Sequence, residues 1–296
     1  MIFSCIIPAS AKDAESQNLK DLIASIKAQD FPQDQIEILV ITEGDSEQAK
    51  GIGIKRAKGE ICAMFCADNL ITSNHLFKNA YDNIVLKGHS ATYPIRYSYQ
   101  RHDNSLNRYF SLIGGNDPVC YYLGKNDRRP HAKDIQETSD YPSSYGCNGF
   151  FYRSELIKKT NLDNYYPMDN AMEVGGEFSA MDCDWIWHRT SDNLVSFLIK
   201  RYKYARDLYS DRQDRRWKML DTSQDYIRLI WFILCTIAIF PCLLVSFKGY
   251  SKIKDPAWAW HWPVCLGFLV TYTFLAIRNL FKHGRLFQCR APLQPA

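Results

Sequence analysis

The segment Lys58-Gly59-Glu60-Ile61-Cys62-Ala63-Met64-Phe65-Cys66-Ala67-Asp68-Asn69 constrains this chain more than any other. An apolar run of strand length breaks off at a carboxylate, and it comes third after two earlier strand–helix units. Ser4-Cys5-Ile6-Ile7-Pro8 reads as a short buried strand beginning almost at Met1. Leu19, Leu22, Ile23 and Ile26 mark one face of a helix, which Phe31-Pro32 stops. Ile36-Glu37-Ile38-Leu39-Val40-Ile41 is a second buried strand, ending in the polar loop Thr42-Glu43-Gly44-Asp45-Ser46. Strands alternating with helices at this spacing imply a mostly parallel sheet with right-handed crossovers. Ligands of such sheets sit beyond the carboxyl ends of the strands. A lone Asp68 there reads as a ligand for the cation of a nucleotide diphosphate. The alternative is a cap for a helix starting near Ser73.

Composition narrows the field from another side. A formal charge of +4 over 296 residues is too mild to argue for a nucleic-acid partner. The ten cysteines show no paired spacing and no Cys-x-x-Cys, so spacing gives no zinc site. Reduced thiols of a cytoplasmic domain account for them, and no secretory signal precedes the first strand. Cys235, Cys242 and Cys265 lie in strongly apolar segments.

Those segments mark a sharp shift near Tyr226. Between Tyr226 and Phe247 the one charged residue is Arg228, and between Trp258 and Phe281 it is Arg278. Each run reaches the length of about 20 residues that a helix needs to span a bilayer. Trp258, Trp260 and Trp262 would form an interfacial belt, and Pro241 and Pro263 are tolerable beside neighbouring helices. The runs are expected to form an antiparallel hairpin of two transmembrane helices; a pair of buried core helices is the alternative. Basic residues before the hairpin (Arg201, Lys203, Arg206, Arg212, Arg215, Arg216, Lys218) and after it (Lys282, Arg285, Arg290) put both outer ends in the cytoplasm. Lys248, Lys252 and Lys254 in the linker weaken that contrast and would also suit a hairpin that does not cross fully.

Ile6-Ile7-Pro8, Gln29-Asp30-Phe31-Pro32, Ile36-Glu37-Ile38-Leu39-Val40, Ala57-Lys58-Gly59-Glu60-Ile61 and Ala67-Asp68-Asn69, in that order and spacing, resemble the family 2 glycosyltransferases of the GT-A fold. The resemblance covers about the first 95 residues, and residues 145–205 more loosely. It implies an α/β fold, a GT-A (Rossmann-like) mostly parallel sheet flanked by helices, here followed by the two membrane helices. The expected organisation is a catalytic domain over 1–205, a basic interfacial segment over 206–225, the hairpin over 226–281 and a basic cytoplasmic tail over 282–296.

The site residues follow from the resemblance. The nucleotide-sugar donor is expected across the first strand ends at Pro8, Ala9, Glu43 and Asp45, with Lys50 near the phosphates and Ala67 and Asp68 beneath them. Asp68 and His188, the latter in Trp185-Ile186-Trp187-His188, would hold a divalent cation, Mg²⁺ or Mn²⁺. The bland reading of His188 is a histidine packed beside two tryptophans. Cys66 replaces the first acid of the family's usual Asp-x-Asp, and a thiol is a poor ligand for either ion, so donor affinity or sugar choice is in question. Asn148 and Gly149, in Tyr145-Gly146-Cys147-Asn148-Gly149, resemble the acceptor side of the cleft, although Asn-Gly is also a common turn. In Tyr166-Pro167-Met168-Asp169-Asn170, Met168 replaces the first acid of an expected pair and Asp169 stands where the catalytic base is found. Asp117 and Glu173 compete with it. Gln213-Asp214-Arg215-Arg216-Trp217 reproduces the Gln-x-x-Arg-Trp string of processive members, which would give Arg216 and Trp217 an acceptor role. Two spans are too few for a polymer channel, so a basic amphipathic helix on anionic headgroups, with Trp217 as anchor, is the favoured and compatible reading. The poorly periodic stretch from Tyr97 to Tyr145 reads as an acceptor-side insertion, with Arg128 and Arg129 able to meet a phosphate.

The leading expectation is an inverting, metal-dependent glycosyltransferase, membrane-anchored, serving a lipid-linked or membrane-associated saccharide in envelope glycan or polysaccharide synthesis. A polyprenyl-phosphate acceptor, a degenerate GT-A binding scaffold and a nucleotidyltransferase on a similar sheet stand as alternatives.

Overall fold

Every residue of β1 (Phe3–Pro8) is buried, as its run of apolar side chains requires of a central strand. The computed structural model describes residues 1–11, 13–125, 148–207 and 215–283. The expectations on Arg128, Arg129, Tyr145, Gly146, Cys147, Arg212, Gln213, Asp214, Arg285 and Arg290 lie outside them. The chain divides into two compact units, Met1–Gln100 with Asp127–Arg189, and Arg101–Asn126 with Thr190–Ala296. The first ends at Arg189, short of the boundary at 205 expected from the sequence.

In chain order, β1 is followed by α1 (Gln17–Lys27), β2 (Ile36–Ile41), α2 (Ser46–Arg56), β3 (Ile61–Met64), β4 (Asn69–Ile71), α3 (Leu76–Tyr81) and β5 (Ala91–Pro94). The second unit contributes α4 (Ser105–Ile113) and α5 (Pro118–Leu123). The chain then supplies β6 (Phe150–Arg153), α6 (Ser154–Ile157), α7 (Pro167–Val174), β7 (Phe178–Met181) and β8 (Ile186–His188). The rest of the second unit is α8 (Leu194–Ala205), α9 (Ser223–Ala238), α10 (Phe240–Lys252) and α11 (His261–His283).

The first unit is a six-stranded sheet of order β2-β1-β3-β6-β5-β7. All its strands are parallel but β6, which runs against both β3 and β5. The sheet is thus mixed but mostly parallel, as expected. One expectation is corrected: β2 is an edge strand, and of its residues only Ile41 is fully buried. Ser16 caps α1 by accepting the Leu19 N–H, and Leu19, Leu22 and Ile26 bury the apolar face read from the sequence. Below the sheet, Phe3, Phe65, Phe77 and Phe151 form a ring cluster, with Phe3 and Phe77 centroids 4.7 Å apart. Burying each ring stabilises the fold by roughly 1.5–3 kcal/mol. A small second sheet pairs β4 with β8 antiparallel, Asn69 opposite His188.

The second unit is helical and holds several of its charges inside. Asp117 caps α5 and accepts from Arg201 of α8 and from the Tyr272 hydroxyl (2.5 Å). Lys125 pairs with Asp225 at 3.0 Å, and Arg108 with Asp255 at 2.9 Å. The run expected as one membrane helix over 226–247 is two helices, α9 and α10, meeting at 92°. Pro241 explains the break: it lacks an N–H and its ring collides with the carbonyl four residues back. Ile239 takes φ +61° at the corner. Among the described residues, Pro256–Lys282 is the one continuous helical stretch long and apolar enough to cross a membrane. The tryptophans of the expected belt are partly buried and make contacts within the unit. Trp260 Nε1 donates to Ser105 Oγ, Trp262 Nε1 donates to the Thr236 carbonyl, and the Trp258 ring lies on Gly249.

Candidate functional site

The parallel course of β1, β2 and β3 brings Pro8, Ile41 and Met64 to one edge of the sheet, with the Ala9 N–H donating to the Ile41 carbonyl at 2.9 Å. Because β6 is antiparallel and Phe150 pairs with Met64, the residues entering β6, Asn148 and Gly149, arrive at the same edge. β5 continues past Pro94 alongside the small sheet: Arg96 donates its N–H to the Cys183 carbonyl and Ser98 to that of Ile186. That path delivers Tyr97. Residues from four distant parts of the sequence therefore converge here.

At the centre stand Asp68 and His188, with Nε2 of the imidazole 3.4 Å from Oδ1 of the carboxylate. Both side chains are largely enclosed. Asp68 sits in the turn Cys66–Asn69 between β3 and β4, fastened by the Asn69 N–H to the Cys66 carbonyl and the Cys66 N–H to Asn69 Oδ1. Its own carbonyl accepts from the Arg189 N–H, one residue beyond His188. Strand pairing thus fixes the two side chains relative to each other. The helix-cap alternative for Asp68 is excluded: α3 begins at Leu76, and His75 precedes it. In β8 the side chains alternate across the strand, so His188 and Trp187 face opposite ways. Tyr97 lies against the His188 ring (5.3 Å between centroids), whereas Trp187 carries the Arg189 guanidinium at 4.4 Å. Arg189 also binds Asn18 and Asp21, and its hydrogen bond holds the Asp21 carboxyl below the usual range.

Asn148 completes the cluster. It accepts from Asn69 Nδ2 at 3.2 Å and donates to the Tyr97 hydroxyl at 2.8 Å. Asn148 and Gly149 both adopt left-handed backbone, φ +53° and +81°. A Cβ on Gly149 would stand 2.7 Å from Cγ1 of Ile186, so glycine lets β8 approach. The structure thereby joins Asp68, His188, Asn148 and Gly149. Asn69 and Tyr97 were not singled out from the sequence. Asn69 carried one signal, its place directly after the strand-end acid; Tyr97 carried none, since its stretch lacks periodicity.

The remaining predicted residues are placed differently. Pro8 ends β1 and Ala9 follows it, both buried; Ala67 lies in the Asp68 turn. Glu43 is exposed and paired bidentately with Arg56, which holds its carboxyl below the usual range. Asp45 caps α2 through a capping box with Gln48. Lys50, expected near phosphates, is buried, with its ammonium 3.0 Å from the Glu47 carboxylate one turn earlier in α2. Asp169 is half-buried in the first turn of α7, beside the fully buried Met168. Of its competitors, Glu173 accepts the Asn161 N–H and Asp117 is the cap described above. Arg216 is exposed and Trp217 buried in the second unit, its ring 5.7 Å from the Lys125 ammonium. The buried thiols are poor nucleophiles, Cys62 and Cys183 both being pushed up to about 11 by burial.

The Asp68–His188 pair fits a divalent ion. Ligands at right angles around a small cation sit about 3 Å apart, close to the spacing here. An ion of this class commonly takes one or two carboxylates and completes its shell with water and substrate phosphates.

No protein-family model matches the chain, and no curated protein matches it. Among solved structures it is similar to the mannosyltransferase PcManGT from Pyrobaculum calidifontis, in complex with GDP-Man and Mn²⁺. Identity is 12%, the TM-score is 0.52, and the match covers 95% of this chain and 87% of that one. S. aureus TarS 1-349 in complex with UDP-GlcNAc matches more loosely, at 14% identity and a TM-score of 0.41 over 94% of this chain and 83% of that one. The sheet described above and its likeness to PcManGT give the chain a GT-A-like α/β fold.

Proposed function

We propose that this chain is a glycosyltransferase that moves a sugar from a nucleotide-diphosphate donor to an acceptor held at a membrane. The observation that carries the reading is the Asp68–His188 pair, 3.4 Å apart, at the carboxyl edge of a mostly parallel sheet. The likeness in fold to a mannosyltransferase that binds GDP-Man and Mn²⁺ supports the same class of donor.

In this reading Asp68 and His188 hold a divalent ion, which when bound neutralises the charge developing on the departing diphosphate. The nucleotide lies along the ends of β1 and β2 at Pro8, Ala9 and Glu43, with Ala67 under the diphosphate. Asp45 shapes that end by capping α2. Asn148, Gly149 and Tyr97 border the sugar on the acceptor side. Asp169 takes the proton from the acceptor hydroxyl as the new glycosidic bond forms, and the donor's anomeric configuration inverts. A bare polyprenyl phosphate, being already ionised, would leave Asp169 a positioning role only.

Support for the membrane comes from the second unit. Ile227, Ile230, Trp231, Leu234 and Ile237 line one face of α9, and each is more than half exposed. Phe240 and Phe247 of α10 and Phe274 and Phe281 of α11 do the same. Apolar stripes of that extent on three helices are unsuited to water. We assign α11 to a membrane span and the bent α9–α10 pair to a re-entrant or interfacial element, with the first unit in the cytoplasm where nucleotide sugars occur. In this reading the exposed Arg216 meets an anionic headgroup or a lipid phosphate.

Product analysis tests the proposal. Incubating the full chain with labelled sugar nucleotides and a membrane lipid extract should release nucleoside diphosphate and a labelled lipid of inverted configuration. Release of pyrophosphate would indicate nucleotidyl transfer, and retention would refute a single displacement. Donor binding without turnover would favour the scaffold reading that Cys66 raises.

A further inference from the structure

Cys242 of α10 and His261 and Cys265 of α11 share one interior point of the second unit. One ligand atom from each lies within 4.8 Å of the others, and none of the three residues is exposed. His261 and Cys265, four apart, share a helix face. Cys265 Sγ is 3.9 Å from His261 Nε2. The Tyr122 hydroxyl, on α5, approaches the same point, 3.2 Å from His261 Nε2 and 3.7 Å from Cys242 Sγ. Neither the proposed transfer nor the sequence spacing uses these residues, which come from chain positions too far apart to form a recognisable motif.

We infer that Cys242, His261 and Cys265 form a structural zinc site that fastens α10 to α11. The donor set is that of zinc: two thiolates and an imidazole exclude Mg²⁺ and Ca²⁺, which take oxygen. Tetrahedral Zn²⁺, with sulfur at about 2.3 Å and nitrogen at about 2.0 Å, separates its ligand atoms by about 3.5–3.8 Å.

The surroundings support ligation through Nε2. Tyr109 Oη lies 2.9 Å from His261 Nδ1, where it can accept the Nδ1 proton when Nε2 faces a metal between the thiols. The Cys242 thiol donates to the Cys235 carbonyl at 3.4 Å, a weak bond that the metal replaces. Binding one Zn²⁺ releases both thiol protons to solvent, so dication and two thiolates sum to zero charge. A neutral cluster is what a fully buried site tolerates. The fourth position faces the half-buried Tyr122 hydroxyl. The site would tie the start of α10, just past the break at Pro241, to the first turns of α11.

The test is metal content of the full chain purified in detergent under reducing conditions. We expect stoichiometric zinc that survives gel filtration and falls to background in Cys242→Ser and Cys265→Ser. Cobalt added to zinc-depleted protein should give thiolate charge-transfer absorption, absent from either variant. Tyr122→Phe should keep its zinc. Wild-type protein carrying only background zinc and showing no thiolate–cobalt band would overturn the inference, whether or not the variants fold. So would a Cys242–Cys265 disulfide in protein prepared without reductant that fails to take up metal once reduced.

Discussion

At the residue scale, the proposed chemistry rests on a few side chains with separable effects. Asp68→Ala should abolish metal-dependent turnover while leaving thermal unfolding nearly unchanged, because Asp68 is held through its backbone and its turn is closed by Asn69. A fully active variant, or wild-type activity indifferent to EDTA, would remove Asp68 from the site. Asp169→Asn should lower kcat by about 10²- to 10⁴-fold with a hydroxyl acceptor, the usual contribution of a general base. Metal affinity should be unaffected. A near-wild-type rate with a lipid phosphate would instead mark an acceptor that needs no base. Asp68, His188 and Asn148 were legible in the sequence because a strand-end acid, a late histidine and an Asn-Gly step carry local signals. Lys50 was misread. An exposed and a buried lysine look alike in sequence, and only packing showed Glu47 enclosing it.

Among elements, the joints decide. The Arg189–Asp21 bond ties the end of β8 to α1, next to the site. Asp21 is held below its unfolded value of about 3.9, so its contribution is complete above that pH and is lost as pH falls through the folded value. Melting temperatures of wild type and Asp21→Asn should therefore differ at neutral pH and converge in acid. A gap that persists in acid would assign the effect to something other than ionisation. In the second unit, Asp117→Ala leaves Arg201 buried without its carboxylate, and breaking such a pair costs about 3–5 kcal/mol. Chemical denaturation in detergent reads this loss. The strand–helix alternation of the first 70 residues was legible because period and punctuation are local. The bend at Ile239 was not. A proline near a run's middle is compatible with a kinked span or a broken one, and tertiary packing chose the second.

For the whole molecule, the two units divide the proposed labour between donor chemistry and attachment. The composition shift near Tyr226 announced the apolar helices, but composition reports only how much apolar surface exists. Its display on α9, α10 and α11, with ion pairs and polar groups turned inward, became visible only in the fold. Expressed full length, the protein should sediment with membranes and resist extraction by carbonate or salt, since α11 is long enough to span. Release by high salt alone would reduce the attachment to electrostatics. The central claim, a nucleotide-sugar donor held through an ion on Asp68 and His188, has one direct measurement. Titrating GDP- and UDP-sugars into wild type, Asp68→Ala and His188→Ala, with and without Mn²⁺, should show saturable binding of one donor by wild type that requires Mn²⁺ and is lost in both variants. Binding that ignores Mn²⁺ and both substitutions, or no binding of any sugar nucleotide, would contradict it.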